Sequence, residues 1–253
     1  MPKFQDYFST QSFAYAQYRP HYPQALFEFL ASIAPSRQMA WDCGTGTGQA
    51  AVGLAHFFDQ VIATDPSQSQ IDHAARHERI TYQVAPAEQT DIPSCSVDVI
   101  TVAQALHWFD LGRFYREVER VLKPSGVLAV WCYGLLEVSP AIDQELQRFY
   151  TDVVGPYWPP ERQLVEDRYR SIPFPFAELE SPRLFMQTQW ALADLLSYLR
   201  TWSATQRYHE LQGTDPVAPL VELLGALWGP PEEKKVLRWP IHMRSGLVHS
   251  ALR

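Results

Sequence analysis

Three alternating glycines follow a short apolar segment near residue 40. The sequence DCGTGTG occupies positions 42–48 and continues into the alanine-rich segment 49–58, which has helical spacing. Glycine lets the backbone turn tightly and lets a ligand approach the main chain. A helix that begins at such a turn presents backbone N–H groups and the positive end of its dipole. The pattern therefore predicts a site for a nucleoside or a carboxylate-bearing cofactor.

A carboxylate, Asp65, stands where the next apolar run ends. In that place it can accept hydrogen bonds from both hydroxyls of a ribose, and charged acceptors make the stronger bonds. The sequence Asp65-Pro66-Ser67 also suits the start of a helix, so a role only as a helix cap is the alternative. Its position relative to the glycine turn favours ribose binding.

The dinucleotide fingerprint G-x-G-x-x-G is the nearest alternative for the turn. Counted from Gly44, its third glycine would fall on Gln49. Counted from Gly46, the pattern ends on Ala51 and meets only the weaker form with alanine. That second count leaves Asp42 and Gly44 without a role. The spacing therefore disfavours a nicotinamide-dependent oxidoreductase.

Strand-like and helix-like segments alternate through the first half of the chain. This order predicts a doubly wound, mostly parallel α/β sheet. The predicted strands are 39–43, 60–64, 80–84, 97–102 and 127–133, and the predicted helices are 23–34, 49–58, 67–76 and 111–122. Ligands bind such sheets at the carboxyl ends of the strands, where the glycine turn and Asp65 would meet.

The second half is less regular. Helices are predicted at 141–154, 192–199 and 219–228, and strands at 183–190 and 236–243. The last strand is expected at an edge of the sheet because it contains Pro240. The sheet would then have seven strands. Prolines and aromatic residues concentrate in 155–182, and we interpret 135–182 as a small inserted cap or lid within a single domain spanning 1–253.

The composition disfavours several partners. The 253 residues carry a net charge of -7, whereas nucleic-acid binding draws on basic residues that neutralise phosphates. No signal layout or membrane-spanning run is present, so we expect a cytoplasmic protein that does not bind membranes. The cysteines, Cys43, Cys95 and Cys132, match neither a zinc spacing nor a disulfide framework. We expect reduced core thiols and no metal site.

With these residues in place, the sequence resembles the class I S-adenosylmethionine-dependent methyltransferases, and more narrowly the trans-aconitate methyltransferase-like subgroup. The matching segments are YRP and YP within 18–23, DCGTGTGQA at 42–50, VIATDPS at 61–67, APAE at 85–88, VITVAQALHWFD at 99–110 and RFYREVERVLKPSGVLAVW at 113–131. They cover the first half in the family's order, and the second half is similar only loosely. The resemblance implies a Rossmann-like methyltransferase fold with S-adenosylmethionine as cofactor.

The resemblance also implies the cofactor contacts. They are expected at Arg19, Asp42, Gly44, Thr45, Gly46, Asp65, Pro66, Ala87, Glu88 and Gln104. The glycine turn would line the methionine and ribose portions, Ala87 and Glu88 the adenine, and Gln104 the methionine end. Arg19 lies in a segment expected to close over the cofactor and pair with its carboxylate, a surface ion pair being the alternative.

The methyl acceptor is expected to be a small molecule, and the subgroup's association suggests a carboxylic acid. Tyr18, His107 and Trp108 are expected to line its site, with His107 as candidate proton acceptor, substrate contact or packing residue. An arginine fork matches a carboxylate. However, the arginines at 162, 168 and 170 lie among acidic residues, which favours a self-paired loop. A catalytically silent cofactor-binding protein stays an alternative, and the oligomeric state is not predicted.

Overall fold

The computed structural model describes residues 20–248, so the predictions for Tyr18 and Arg19 lie outside the described residues. The chain forms two compact units. The sheet unit comprises residues 22–133, 163–184 and 241–248. The helical unit comprises residues 20–21, 134–162 and 185–240. Residues 163–182, the second part of the predicted cap, thus belong to the sheet unit.

In the first half, strands and helices alternate as predicted. The elements are α1 (Gln24–Ile33), β1 (Met39–Cys43), α2 (Gln49–Ala55), β2 (Gln60–Asp65), α3 (Gln68–Asp72), β3 (Ile80–Val84), β4 (Val97–Ala103), a 3-10 turn (Leu106–Trp108), α4 (Leu111–Val121) and β5 (Leu122–Tyr133). Helix α3 is shorter than predicted. The reason is that the backbone of Ala75 bonds with Thr47 and with the hydroxyl of Tyr82 instead of extending the helix.

Three more strands come from the second half: β6 (Ala177–Leu179), β7 (Leu184–Trp190) and β8 (Lys235–Leu247). The sheet order is β3-β2-β1-β4-β5-β8-β6, and β7 also pairs with β8. The four pairings from β3 to β5 are parallel, while β8 runs antiparallel to β5 and β6. Parallel neighbours bring the carboxyl ends of β1, β2 and β4 to one edge. The mostly parallel sheet is confirmed, with eight strands where seven were predicted.

Two strand predictions in the second half of the sheet are wrong. Strand β5 begins at Leu122, because this residue pairs with Val97 before a register shift to Val127. Strand β8 (Lys235–Leu247) lies inside the sheet rather than at its edge. Pro240 is tolerated because the pairing with β5 begins one residue later and runs over Ile241–Leu247. Each residue of that stretch has a backbone N–H that can donate to the neighbouring strand.

The central strands β4 and β5 are buried on both faces of the sheet, to which their alternate residues point. On one face, Val130 belongs to a core cluster with Phe114 and Val118 of α4. On the other face, Tyr22 packs edge-on against Trp131 at 5.4 Å between ring centres. The central strands therefore consist of near-continuous apolar runs, as expected for strands covered on both sides.

Segment 163–184 contains most of α6 (Arg162–Glu166), whose first residue is the last one of the helical unit. It also contains β6 (Ala177–Leu179). Its buried side chains join the same core cluster as α4; they are Val165, Tyr169, Ile172 and Phe176. Arg244 of β8 ties the segment down. It donates to the carbonyl oxygens of Tyr169 and Ile172 and forms an ion pair with Glu178.

The helical unit contains α5 (Pro140–Arg148), a π-helical turn (Phe149–Val153), a 3-10 turn (Gly155–Tyr157), β7 (Leu184–Trp190), α7 (Leu192–Arg200), α8 (Ser203–Gln212) and α9 (Ala218–Trp228). Its centre is aromatic: Trp239 donates to the Tyr198 hydroxyl, and Trp158 packs against Trp202. Within residues 20–248, no helix has the length and apolar character needed to cross a membrane.

Candidate functional site

The glycine turn at 44–48 joins β1 to α2. All three glycines adopt a positive φ: +70° at Gly44, +56° at Gly46 and +86° at Gly48. Side chains rarely allow this conformation, which accounts for the alternation seen in the sequence. The backbone N–H groups of Gly44 and Thr45 both donate to the carbonyl of Thr64 at 2.9 Å, so β2 holds the start of the turn.

The surroundings of the three glycines differ. A Cβ at Gly44 would come within 2.7 Å of the Ala105 Cβ, and one at Gly48 would overlap the Tyr82 hydroxyl. At Gly46 the nearest atom would be the tip of Gln70, 3.8 Å away. Gly44 and Gly48 thus make room for the protein itself, whereas a Cβ at Gly46 would reach only ordinary contact distance from a flexible side chain. The turn is therefore least crowded at Gly46, which is compatible with a nucleoside cofactor lying there.

Asp42 lies fully buried beneath the turn. Its carboxylate accepts hydrogen bonds from Thr45 Oγ1 at 2.6 Å, from Thr101 Oγ1 at 2.8 Å and from the Ala51 backbone in the first turn of α2. Burial raises the pKa of Asp42 to about 6, and these hydrogen bonds oppose the shift. Asp42 therefore shapes the turn from below, by linking it to β4 and α2.

Asp65 ends β2 and stands beside the turn, only 9% exposed. One carboxylate oxygen accepts from the Gly46 N–H and the other from the Ser67 N–H, each at 2.9 Å. The helix cap of α3 is Ser67, whose hydroxyl oxygen accepts from the Gln70 N–H. The cap-only interpretation of Asp65 thus misses its bond to the turn.

The remaining predicted cofactor residues lie near the same strand ends, in mixed settings. Pro66 is exposed and Ala87 is buried. Glu88 accepts from the Asp110 N–H at 2.9 Å. Gln104 has a positive φ of 58°, and both ends of its side-chain amide bond the Tyr133 backbone. Gln104 therefore fixes the end of β4 to the end of β5.

His107 and Trp108 follow β4 in the 3-10 turn. Trp108 is 36% exposed, and its ring centre lies 4.8 Å from that of His107. The Nδ1 atom of His107 is 2.8 Å from the hydroxyl of Tyr169 in segment 163–184. Tyr169 is buried in the core cluster. The structure therefore brings the predicted histidine together with a tyrosine that the sequence did not indicate.

The three arginines of the predicted loop, at 162, 168 and 170, lie in different surroundings. The Arg162 guanidinium lies over the Trp158 ring at 4.7 Å and donates to the Tyr150 hydroxyl. Arg168 and Arg170 are exposed on either side of Tyr169, and within residues 20–248 neither forms an ion pair. Arg170 instead donates through Nε to the backbone carbonyl of Asp167 at 3.3 Å, so the predicted self-pairing occurs for Arg170 without an ion pair. Burial, together with the two arginines, lowers the pKa of His242 on β8.

Sequence reasoning missed Thr101 and Tyr169. Thr101 and Asp98 interrupt an otherwise apolar central strand, and a buried polar residue in such a place is itself a signal. Tyr169 lies in an irregular segment, and its partner is 62 residues away in sequence, so no local pattern pointed to it. Of the thiols, Cys43 and Cys132 are buried as expected but Cys95 is exposed.

Comparisons with known proteins agree with this geometry. A family model described as a methyltransferase domain matches residues 41–130. A protein of Dictyostelium discoideum described as a methyltransferase is 35% identical over 226 residues, which is 88% of this chain and 86% of that protein. A Saccharomyces cerevisiae protein described as an S-adenosylmethionine-dependent methyltransferase is 32% identical over 49% of this chain and 45% of its own length.

A solved structure supports the whole fold. It is described as a type II methyltransferase from Anaeromyxobacter dehalogenans and superposes with a TM-score of 0.88 at 48% identity. The match covers 91% of this chain and 98% of that one. The predicted Rossmann-like methyltransferase fold is thus confirmed. The chain belongs to the class I S-adenosylmethionine-dependent methyltransferases and is an enzyme of that family with S-adenosylmethionine as its cofactor.

Proposed function

We propose that the methyl acceptor is a small organic acid, methylated on a carboxylate oxygen. The observation that carries this proposal is the pair of exposed guanidinium groups at Arg168 and Arg170. They flank Tyr169, whose hydroxyl lies 2.8 Å from His107 beyond β4. A guanidinium fork matches the planar geometry of a carboxylate and keeps its charge at any working pH. The likeness of the sequence motifs to the trans-aconitate methyltransferase-like subgroup supports the same substrate class.

The cofactor contacts follow from the same edge of the sheet. The turn at Gly44, Thr45 and Gly46 receives the methionine and ribose portions of the cofactor. The reason is that the turn is least crowded at Gly46, where a Cβ would meet only the tip of Gln70. Asp65 accepts hydrogen bonds from the ribose while its present bond to the Gly46 N–H keeps it beside the turn. Asp42 acts from beneath by holding the shape of the turn.

Three other predicted contacts belong to this proposal. Ala87 and Glu88 border the adenine, and Glu88 is oriented by its bond from the Asp110 N–H. Gln104 acts at the methionine end through the backbone position that its bonds to Tyr133 fix.

S-adenosylmethionine supplies an electrophilic methyl group on a positively charged sulfur. A carboxylate acceptor is already anionic, so its attack neutralises charge and needs no strong base. The protein's part is then to align the acceptor about 3 Å from the methyl carbon, in line with the sulfur, and to exclude water. On this view Trp108 supplies an apolar wall, and His107 hydrogen-bonds the acceptor rather than removing a proton.

The experiment is an acceptor screen read out by formation of S-adenosylhomocysteine. Small mono-, di- and tricarboxylic acids are compared with phenols and amines of similar size. We expect methylation of acids, and we expect Arg170→Gln and Arg168→Gln each to raise the KM for the acid about ten-fold, as for loss of one charge-assisted hydrogen bond. The affinity for S-adenosylmethionine, measured by calorimetry, should be unchanged.

Arg116→Gln is the matched control, since Arg116 is an exposed arginine on α4. Methylation of phenols or amines but not acids would refute the carboxylate proposal. Binding of S-adenosylmethionine without turnover of any acceptor class would instead favour the catalytically silent protein. Binding of a nicotinamide dinucleotide in its place would contradict the assigned cofactor contacts.

A further inference from the structure

Tyr169 has an unusual backbone and a fixed side chain. Arg168 and Tyr169 both have φ of +60°, a left-handed conformation that non-glycine residues rarely adopt. Two such residues in succession persist only where the surroundings determine them, and they concentrate at functional sites. Here two hydrogen bonds hold the backbone. The Tyr169 N–H donates to the Leu164 carbonyl, and the Tyr169 carbonyl accepts from Arg244, each at 2.9 Å.

The consequence of this backbone is the placement of one hydroxyl group. The Tyr169 side chain is 1% exposed and belongs to the core cluster, so its ring has little freedom. The ring centre lies 6.0 Å from that of His107, and the hydroxyl oxygen lies 2.8 Å from His107 Nδ1. His107 also contacts the Trp108 ring. The imidazole is therefore restrained both by a ring contact and by a hydrogen bond from the core.

The direction of that hydrogen bond follows from the chemistry of the two groups. A phenol is a better donor than a neutral imidazole N–H, and the unprotonated imidazole nitrogen is a better acceptor than a phenol oxygen. The favourable arrangement has the Tyr169 O–H donating to Nδ1. In a neutral imidazole the proton is then on Nε2.

We propose that Tyr169 is a positioning residue for the methyl acceptor. It donates a hydrogen bond to Nδ1 of His107, fixes the tautomer protonated on Nε2, and so makes Nε2–H a donor for the acceptor's carboxylate. This inference rests on the proposed function for the identity of the acceptor. The tautomer and orientation of His107 can be measured without any acceptor.

The first test is ¹⁵N NMR of histidine-labelled protein, with His107 assigned through His107→Gln. In the wild-type protein we expect protonated Nε2 and an Nδ1 resonance displaced by hydrogen bonding. In Tyr169→Phe the Nδ1 resonance should move to the position of a nitrogen without that bond. A wild-type protein protonated on Nδ1 would overturn the inference, even if the variant did not fold, and so would an Nδ1 resonance that the substitution leaves in place.

Tyr115→Phe is the matched control. The Tyr115 hydroxyl donates to the Pro173 carbonyl at 2.6 Å, so it also ties segment 163–184, here to α4 and not to His107. If Tyr169 only stabilised this segment, both variants would affect activity alike. We expect Tyr169→Phe alone to lower kcat/KM for the acid about ten-fold, chiefly through KM, as for loss of one hydrogen bond to a charged group. Affinity for S-adenosylmethionine should not change.

The two proposals fail separately. If acids are methylated but Tyr169→Phe acts no differently from Tyr115→Phe, the positioning role is wrong and the proposed function stands. If the expected His107 tautomer is observed but no acid is methylated, the carboxylate acceptor is wrong, while the orientation of His107 by Tyr169 is retained for another acceptor.

Discussion

At the scale of single residues, one glycine of the turn differs from its neighbours in what it makes room for. Gly44 and Gly48 are crowded by Ala105 and Tyr82, so a side chain there would disturb the fold. At Gly46 a Cβ would meet only the tip of Gln70, 3.8 Å away, and the Gly46 N–H donates to Asp65. We therefore expect Gly46 to matter more for ligand binding than for folding.

This difference predicts the effect of Gly46→Ala. The left-handed conformation should cost about 1–2 kcal/mol in the free energy of unfolding. The added methyl group would project into the proposed cofactor site, so calorimetric titration should show affinity for S-adenosylmethionine reduced by more than about ten-fold, that is by at least about 1.4 kcal/mol. Equal affinity in the variant and the wild type would remove the turn from the cofactor site.

Gly213→Ala supplies the matched control for that variant. Gly213 ends α8 with φ of +71°, and a Cβ there would meet nothing within 4 Å. It carries the same conformational penalty without belonging to the turn. Gly213→Ala should therefore destabilise the protein to a similar extent and leave cofactor affinity unchanged.

At the scale of elements, the sequence predicted best where a segment carries its own pattern. Strands β1 and β3 have the predicted bounds. Strand β1 is a short, largely apolar segment before the glycine turn, and β3 (ITYQV) is rich in β-branched and aromatic residues, which favour strands. The errors arise where distant partners decide. Helix α3 ends early because the Tyr82 hydroxyl donates to the Ala75 carbonyl. Strand β8 is internal because β5 pairs with one of its edges and β6 with the other. For the same reason the glycine turn could be predicted and Tyr169 could not.

Asp42 joins β1, β4, α2 and the turn, and its titration should be measurable as stability. Burial raises the pKa of Asp42 to about 6 in the folded protein, from an ordinary value of 3.8. The native state thus binds the proton more tightly than the unfolded chain does. The protonated Asp42 therefore stabilises the fold fully below pH about 4. This stabilisation is lost as the pH rises through about 6, which lowers the free energy of unfolding by about 3 kcal/mol.

Asp42→Asn should remove this pH dependence. Hydroxyl groups can donate or accept, so Thr45 and Thr101 can adjust to an amide. Denaturant unfolding at several pH values should show that the variant gains on the wild type between pH 4 and 8, by up to about 3 kcal/mol. Asp59→Asn, at an exposed position, is the control and should show no such gain. A gain confined to low pH would contradict the assignment.

At the scale of the whole molecule, the residues that we propose to bind the cofactor and to position the acceptor belong to one unit. The glycine turn, Asp65, His107 and Tyr169 all lie in the sheet unit, although segment 163–184 enters it from the second half of the chain. The helical unit has its own aromatic centre around Trp158 and Trp202, with Arg162 over the Trp158 ring. Cofactor binding should therefore stabilise the two units to different extents.

Hydrogen exchange followed by mass spectrometry can measure that difference. S-adenosylhomocysteine at one hundred times its dissociation constant stabilises the state that binds it by about 2.7 kcal/mol, which slows exchange through unfolding of that state by about a hundred-fold. We expect this slowing in peptides covering 39–48, 60–72 and 97–108, because their amides exchange only when the sheet unit opens. Peptides covering 192–212 should slow far less, since they can open while the cofactor stays bound. Equal slowing in both sets would mean that the units unfold together, and slowing only in 192–212 would place the cofactor outside the glycine turn.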